Sequence, residues 1–133
     1  MKMVEEKELS DSMLFLHNDL ESSNDLLPVF DLPGLIQNMK HDRKRGKAEL
    51  NSMILFKSPE KSMLLILLHK KTKIKSSQAN GYTSFRVIEG KLNLHIRKGS
   101  FTINKGELLI LHEKTNYSYD SMEETAFLLT LAS

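Results

Sequence analysis

Regularly spaced turn residues divide the second half of the chain into short apolar segments. From residue 51 onward, runs rich in Leu, Ile, Phe and Val alternate with Gly, Pro or charged residues. The runs cover about 51–57, 62–69, 84–88, 91–97, 100–104, 107–112 and 125–131. Short strands separated by such turns are typical of a sandwich or a barrel. The sequence therefore predicts a mainly β domain.

The runs differ in how many of their faces are predicted to be buried. The run KLNLHIR at 91–97 alternates strictly, so Asn93, His95 and Arg97 share one face and the aliphatic side chains share the other. The runs at 63–68 (MLLILL) and 107–111 (ELLIL) do not alternate. Strands without alternation are usually covered on both faces. A second layer or a second subunit is therefore expected over them, and we predict a homodimer.

One short helix is predicted between residues 26 and 45. Asp31 suits the N-cap and Pro33 the first turn, and apolar side chains recur at helical spacing at positions 35, 36 and 39. The preceding residues 1–27 are polar and acidic, which predicts a partly flexible arm. Residues 28–133 are then expected to form one domain.

Composition predicts a cytoplasmic protein with no membrane segment. The first residues show no signal-peptide pattern, and the longest apolar run is too short to cross a bilayer. The chain has no cysteine, which excludes disulfides and thiolate metal ligands. Net charge is +2 but uneven, because residues 1–31 carry a net of −6 and residues 40–105 a net of +12. Acidic ends covering a basic middle, or an anionic ligand attracted by that middle, would both explain this distribution.

Several short motifs, in this order, resemble the cupin superfamily, most closely its small single-domain bacterial members. They are Phe30 to Pro33 (FDLP), Gln78-Ala79, Val87 to Gly90 (VIEG), Gly106 and Ala126 to Thr130 (AFLLT). The resemblance implies a single jelly-roll β-barrel, preceded by the arm and the short helix. Because cupins include enzymes, storage proteins and sensory domains, it implies no single activity.

The resemblance also implies where metal ligands would stand. Counted from the two glycines that anchor the family's motifs, the ligand positions fall on Ser77, Ala79, Thr83 and Tyr117. None of these side chains is an imidazole or a carboxylate, which are the ligands that iron, manganese, nickel and zinc prefer. The metal motif is therefore degenerate by sequence, and no cofactor is predicted.

These observations favour a binding or structural protein without catalytic activity over an enzyme. The candidate lining of its pocket is Ser77, Gln78, Thr83 and Tyr117, and a small polar or anionic molecule is the expected ligand. One alternative is a metal-dependent enzyme with an unusual ligand set that includes His69, His95 or His112. Another is an anion-binding module using the basic middle. A nucleic-acid partner is not favoured, because the basic segment 40–47 lacks interleaved aromatic residues.

Overall fold

The computed structural model describes residues 29–43, 50–79, 81–112 and 114–132. The elements are α1 (Leu32–Arg43), β1 (Leu50–Lys57), β2 (Lys61–Leu68), β3 (Thr72–Gln78), β4 (Tyr82–Glu89), β5 (Lys91–Ile96), β6 (Gly99–Asn104), β7 (Leu108–Leu111), β8 (Asn116–Ser121) and β9 (Thr125–Ala132). The predicted arm at 1–27 lies outside the described residues, as do residues 44–49, which include half of the basic segment 40–47. The side chains of residues 43 and 76–78 also lie outside them.

Two antiparallel sheets form the fold. The five-stranded sheet has the order β1-β2-β9-β4-β7, and the four-stranded sheet has the order β3-β8-β5-β6. Alternate side chains from both sheets meet in one apolar core, which includes Leu64, Ile66, Phe85, Leu94 and Phe127. This arrangement confirms the predicted mainly β, jelly-roll architecture, to which the described residues add one helix.

The helix α1 covers part of the outer face of the five-stranded sheet. Asp31 caps it: the backbone amide of Gly34 donates to Asp31 Oδ1 at 3.3 Å, and the amide of Leu35 donates to the Asp31 carbonyl at 2.9 Å. Ile36 and Met39 are buried against the sheet, as the helical spacing predicted. No helix in the described ranges is long and apolar enough to span a membrane.

The helix explains why β2 does not alternate. Its inward side chains join the core between the sheets, and its outward Leu65 and Leu67 pack in a second cluster with Ile36 and Met39. The second layer predicted for this strand is thus part of the same chain. For β7 no second layer covers the outer face within the described residues, because Leu108 and Ile110 are 56% and 54% exposed, so cover by a second subunit stays a prediction. The strand lies at the sheet edge, beyond the area that α1 covers.

Two strands, β3 and β8, were not predicted from the sequence. They pair with each other, with Ile74 opposite Tyr119 and Ser77 opposite Tyr117. In β3, TKIKSSQ, a single aliphatic residue gives no period-two signal. In β8, NYSYDS, two tyrosines do alternate with polar residues, and both are buried. That alternation was the sequence signal from which β8 could have been predicted.

Candidate functional site

Strands β3 and β8 bring two of the predicted site residues side by side. Ser77 is the register partner of Tyr117, and Gln78 is the partner of Asn116. Just beyond β3, the amide of Ala79 donates to the Thr115 carbonyl at 3.0 Å. This end of the four-stranded sheet therefore carries three of the four positions that the family motifs indicated, namely Ser77, Ala79 and Tyr117. The Ser77 and Gln78 side chains lie outside the described part of the chain.

Tyr117 lies in the aromatic centre of the core. Its side chain is 6% exposed, and its ring meets Phe85 edge to face with centroids 5.5 Å apart. It also stacks on Tyr119 at 6.4 Å. Because Phe85 projects inward from β4, this contact joins the two sheets across the interior.

Thr83 lies two residues before Phe85 on the same inner face of β4. It is only 1% exposed, and its hydroxyl Oγ1 has no hydrogen-bond partner among the residues that the structure describes. Its register neighbours are Leu111 and Leu131, so the surroundings across both strand pairs are aliphatic. Leaving a buried hydroxyl unpaired costs about 1–3 kcal/mol. An unpaired polar group of this kind in an apolar interior marks a position where an added polar group would gain a hydrogen bond.

These positions do not fit a divalent metal ion. Ala79 offers a methyl group, Thr83 a neutral hydroxyl and Tyr117 a phenol that packs against other rings. The fourth position, Ser77, is also a neutral hydroxyl by residue type. First-row transition metals in such sites require imidazole or carboxylate ligands. We therefore assign no metal-dependent reaction step to these four residues.

The three histidines of the alternative ligand set are not brought together. His69 follows β2 at the end where Leu68 pairs with Thr125. His112 follows β7 at the opposite end of the same sheet, where its ring lies 6.0 Å from that of Tyr82. His95 lies on the outer face of the other sheet. Among the residues that the structure describes, no group of three potential metal ligands is found.

A hydrogen-bonded network surrounds His95 on the outer face of the four-stranded sheet. His95 Nε2 lies 2.6 Å from Asp120 Oδ2, and its Nδ1 lies 2.7 Å from Ser100 Oγ. Asn93 donates to the other oxygen of Asp120 at 3.0 Å, and Thr102 donates to Asn93 at 3.1 Å. Both ring nitrogens are satisfied when Nε2–H donates to Asp120 and the Ser100 hydroxyl donates to Nδ1.

This network joins three strands rather than surrounding a cavity. His95 is the register partner of Ser100, and Asn93 is the partner of Asp120. Its members are thus cross-strand neighbours, and His95 and Asp120 form a diagonal pair because the register partner of His95 in β8 is Ser118. Such pairs are the usual way in which polar side chains stabilise an exposed sheet face. The alternation in β5 placed Asn93 and His95 on one face, but Asp120 was missed because β8 had not been recognised.

The Asp120 carboxyl has a perturbed pKa. Partial burial raises its pKa, but hydrogen bonds from Asn93 and His95, and electrostatic attraction to His95 and Lys73, outweigh burial and lower the pKa below its ordinary value of 3.8. The ionised carboxylate is therefore the form that the network favours.

Similar chain paths occur in solved structures. A conserved protein of unknown function from Streptococcus pyogenes has a TM-score of 0.62 at 14% identity, with 66% of this chain and 77% of that one covered. A cupin superfamily protein from Desulfitobacterium hafniense has a TM-score of 0.62 at 11% identity, with 65% and 80% covered. A salicylate 1,2-dioxygenase from Pseudaminobacter salicylatoxidans has a TM-score of 0.61 at 12% identity, with 71% and 30% covered.

Structural similarity at sequence identities of 11–14% shows a shared fold and nothing about activity. No protein-family model matches the sequence, and a search of curated proteins finds no significant relative. The structural neighbours include an enzyme as well as proteins described without an activity.

Proposed function

Since the chain has the cupin fold but none of the metal-binding side chains at the family's ligand positions, we propose that it is a non-catalytic binding protein. Its ligand would be a small polar molecule that enters between the two sheets near the start of β4. Ser77, Gln78, Thr83 and Tyr117 are the proposed contacts. Small-molecule sites commonly combine apolar walls with a few polar groups that orient the ligand.

The observation that carries the proposal is the unpaired hydroxyl of Thr83. A threonine at 1% exposure, with no partner in the described part of the chain, destabilises the unliganded protein relative to an isosteric valine. A ligand that supplies a hydrogen-bonding group would remove this cost at the moment of binding. The buried Tyr117 ring beyond Phe85 offers an apolar surface for the rest of the molecule.

A pair of substitutions at Thr83 tests this proposal. Thr83→Val removes the hydroxyl but keeps the shape, so the unliganded variant should be more stable by about 1–2 kcal/mol. Thr83→Ser retains a hydroxyl and serves as the matched control. Thermal unfolding of wild type is then screened against neutral sugars, sugar acids and small dicarboxylic acids. A binder raises the melting temperature by mass action, and the rise should be lost in the valine variant but retained in the serine variant.

Two results would count against the proposal. If Thr83→Val loses stability in urea titrations, the hydroxyl has a structural partner and offers no site. If a compound stabilises wild type and Thr83→Val equally, it binds somewhere else on the protein.

A further inference from the structure

The outer face of the five-stranded sheet carries an uncharged row of side chains beside α1. Strand register aligns one residue from each of the five strands, namely Phe56, Met63, Thr130, Ser84 and Ile110. Adjacent strands are about 4.8 Å apart, so the row is about 19 Å long. We call this row, together with the neighbouring Leu108 and Tyr82, the apolar band. Three apolar side chains of the band are exposed to solvent in the described part of the chain, namely Phe56 (47%), Ile110 (54%) and Leu108 (56%).

Two positively charged residues lie beside the apolar band. Arg86 is the register partner of Leu108 on the same face, and Lys61 belongs to the next outward row with Ala132 and Tyr82. Both cations are exposed. If two copies met through this face, these like charges would be brought towards each other, which is unfavourable. An acidic partner with apolar side chains fits the band better than a second copy of the same face.

The N-terminal segment of the chain has this chemistry. Residues 1–28, which lie outside the described structure, hold seven acidic and two basic side chains. Within them, residues 13–16 read MLFL and have acidic residues on both sides. The chain enters the described structure at Val29, and Phe30 packs with α1 on this same sheet face. The twelve residues between Leu16 and Val29 span up to about 40 Å when extended, which exceeds the length of the band.

We propose that residues 13–16 dock on the apolar band of the same chain. Their aliphatic and aromatic side chains would cover Ile110 and Leu108, while the flanking carboxylates approach Arg86 and Lys61. A short tether makes the docking intramolecular and gives it a high effective concentration. This docking is independent of the ligand site proposed between the sheets.

A single tryptophan can report on this docking, because the full chain contains none. In Phe15→Trp the fluorescence emission should be blue-shifted relative to Val4→Trp, which lies outside the apolar run. Adding Leu108→Ser and Ile110→Ser, at two exposed positions, should shift the emission back to the red. Adding Met122→Ser instead, at a position that is 68% exposed in a turn, should leave the blue shift unchanged. Far-UV circular dichroism confirms that each variant is folded.

The outcomes separate the candidate occupants of the band. A blue shift that is independent of protein concentration and lost with the two serines supports docking within the chain. No blue shift, or a blue shift insensitive to those serines, overturns the proposal. A blue shift that grows with concentration, together with the mass of two chains in sedimentation, assigns the band to a second copy and also overturns it.

Discussion

Gly90 turns the chain between β4 and β5 with a φ of +86°, in the left-handed region that favours glycine. A Cβ at this position would lie 2.6 Å from the Glu124 carbonyl oxygen and 2.6 Å from Thr125 Oγ1. The Thr125 hydroxyl is held in place, because it accepts a hydrogen bond from the Lys91 amide at 3.2 Å and lies 2.9 Å from the Lys91 carbonyl. Backbone conformation and close packing together explain the glycine at the end of the VIEG motif.

A comparison with Gly106 separates these two causes. Gly106 has the same φ of +86°, but a Cβ there would meet no described atom within 4 Å. Gly106→Ala should therefore cost only the backbone term, about 1–2 kcal/mol. Gly90→Ala adds the clash and should cost more than about 3 kcal/mol. Urea unfolding of both variants measures the difference, and equal losses would contradict this explanation of the motif.

Asp120 makes the stability of the folded protein depend on pH in the acidic pH range. Its pKa is lowered in the folded protein, so its contribution is present above the pKa of the unfolded state and is lost as pH falls through the folded-state pKa. Wild type should lose stability relative to Asp120→Asn as pH is lowered from about 5 to below the ordinary aspartate pKa near 4. Urea midpoints across this range test the prediction. A constant difference between the two proteins would show that the carboxylate is not selectively stabilised.

At the scale of elements, α1 supplies the second layer that β2 requires. Ile36 is fully buried between the helix and Leu65 and Leu67. The helix is also fixed at its C-terminal half, where Lys40 Nζ lies 2.8 Å from Glu89 Oε1 in the VIEG motif. Most of the stabilisation should come from apolar burial, because partly exposed ion pairs contribute little.

Ile36→Ala should thus destabilise the whole domain by about 2–5 kcal/mol, because it leaves a cavity between helix and sheet. The neighbouring Gln37→Ala, at an exposed position of the same helix, should change stability by less than about 0.5 kcal/mol. Thermal or urea unfolding compares the two. If Ile36→Ala unfolds only the helix signal and leaves the sheet transition unchanged, α1 is not part of the cooperative unit.

The sequence was informative where a single periodicity decided the structure. Strict alternation placed Leu92 and Leu94 in the core and His95 outside, and capping residues placed the start of α1. It failed for β3, which has one aliphatic residue and is specified by pairing with β8 rather than by its own pattern. It could not show whether α1 or a second subunit would cover the outer face of β7, because strand composition does not record how far a covering helix extends.

The candidate site was predictable only in part for a related reason. Spacing from Gly90 and Gly106 located Thr83 and Tyr117, and the structure buries both. Spacing could not show that the Thr83 hydroxyl is unpaired within the described structure, since that depends on neighbours contributed by β7 and β9. Nor could it assemble the network around His95, whose members come from three strands.

At the scale of the whole molecule, a cupin fold encloses an interior filled with aromatic and aliphatic side chains. Phe85, Tyr117, Tyr119 and Phe127 contact one another across the two sheets. Such a core stabilises the fold through apolar burial and ring packing. The homodimer predicted from sequence remains a prediction, and the covering of β2 by α1 removes the part of the argument that rested on that strand.

The proposed site is expected to hold no metal ion, and elemental analysis is the most direct test of this expectation. The untagged full-length protein is measured after equilibrium dialysis against Mn²⁺, Ni²⁺ or Zn²⁺. The donor set at Ala79, Thr83 and Tyr117 predicts a content far below one ion per chain, and any weak binding should be lost in His95→Ala or His112→Ala. Retention of about one ion per chain in both histidine variants, together with its loss in Tyr117→Phe, would contradict the proposed metal-free site.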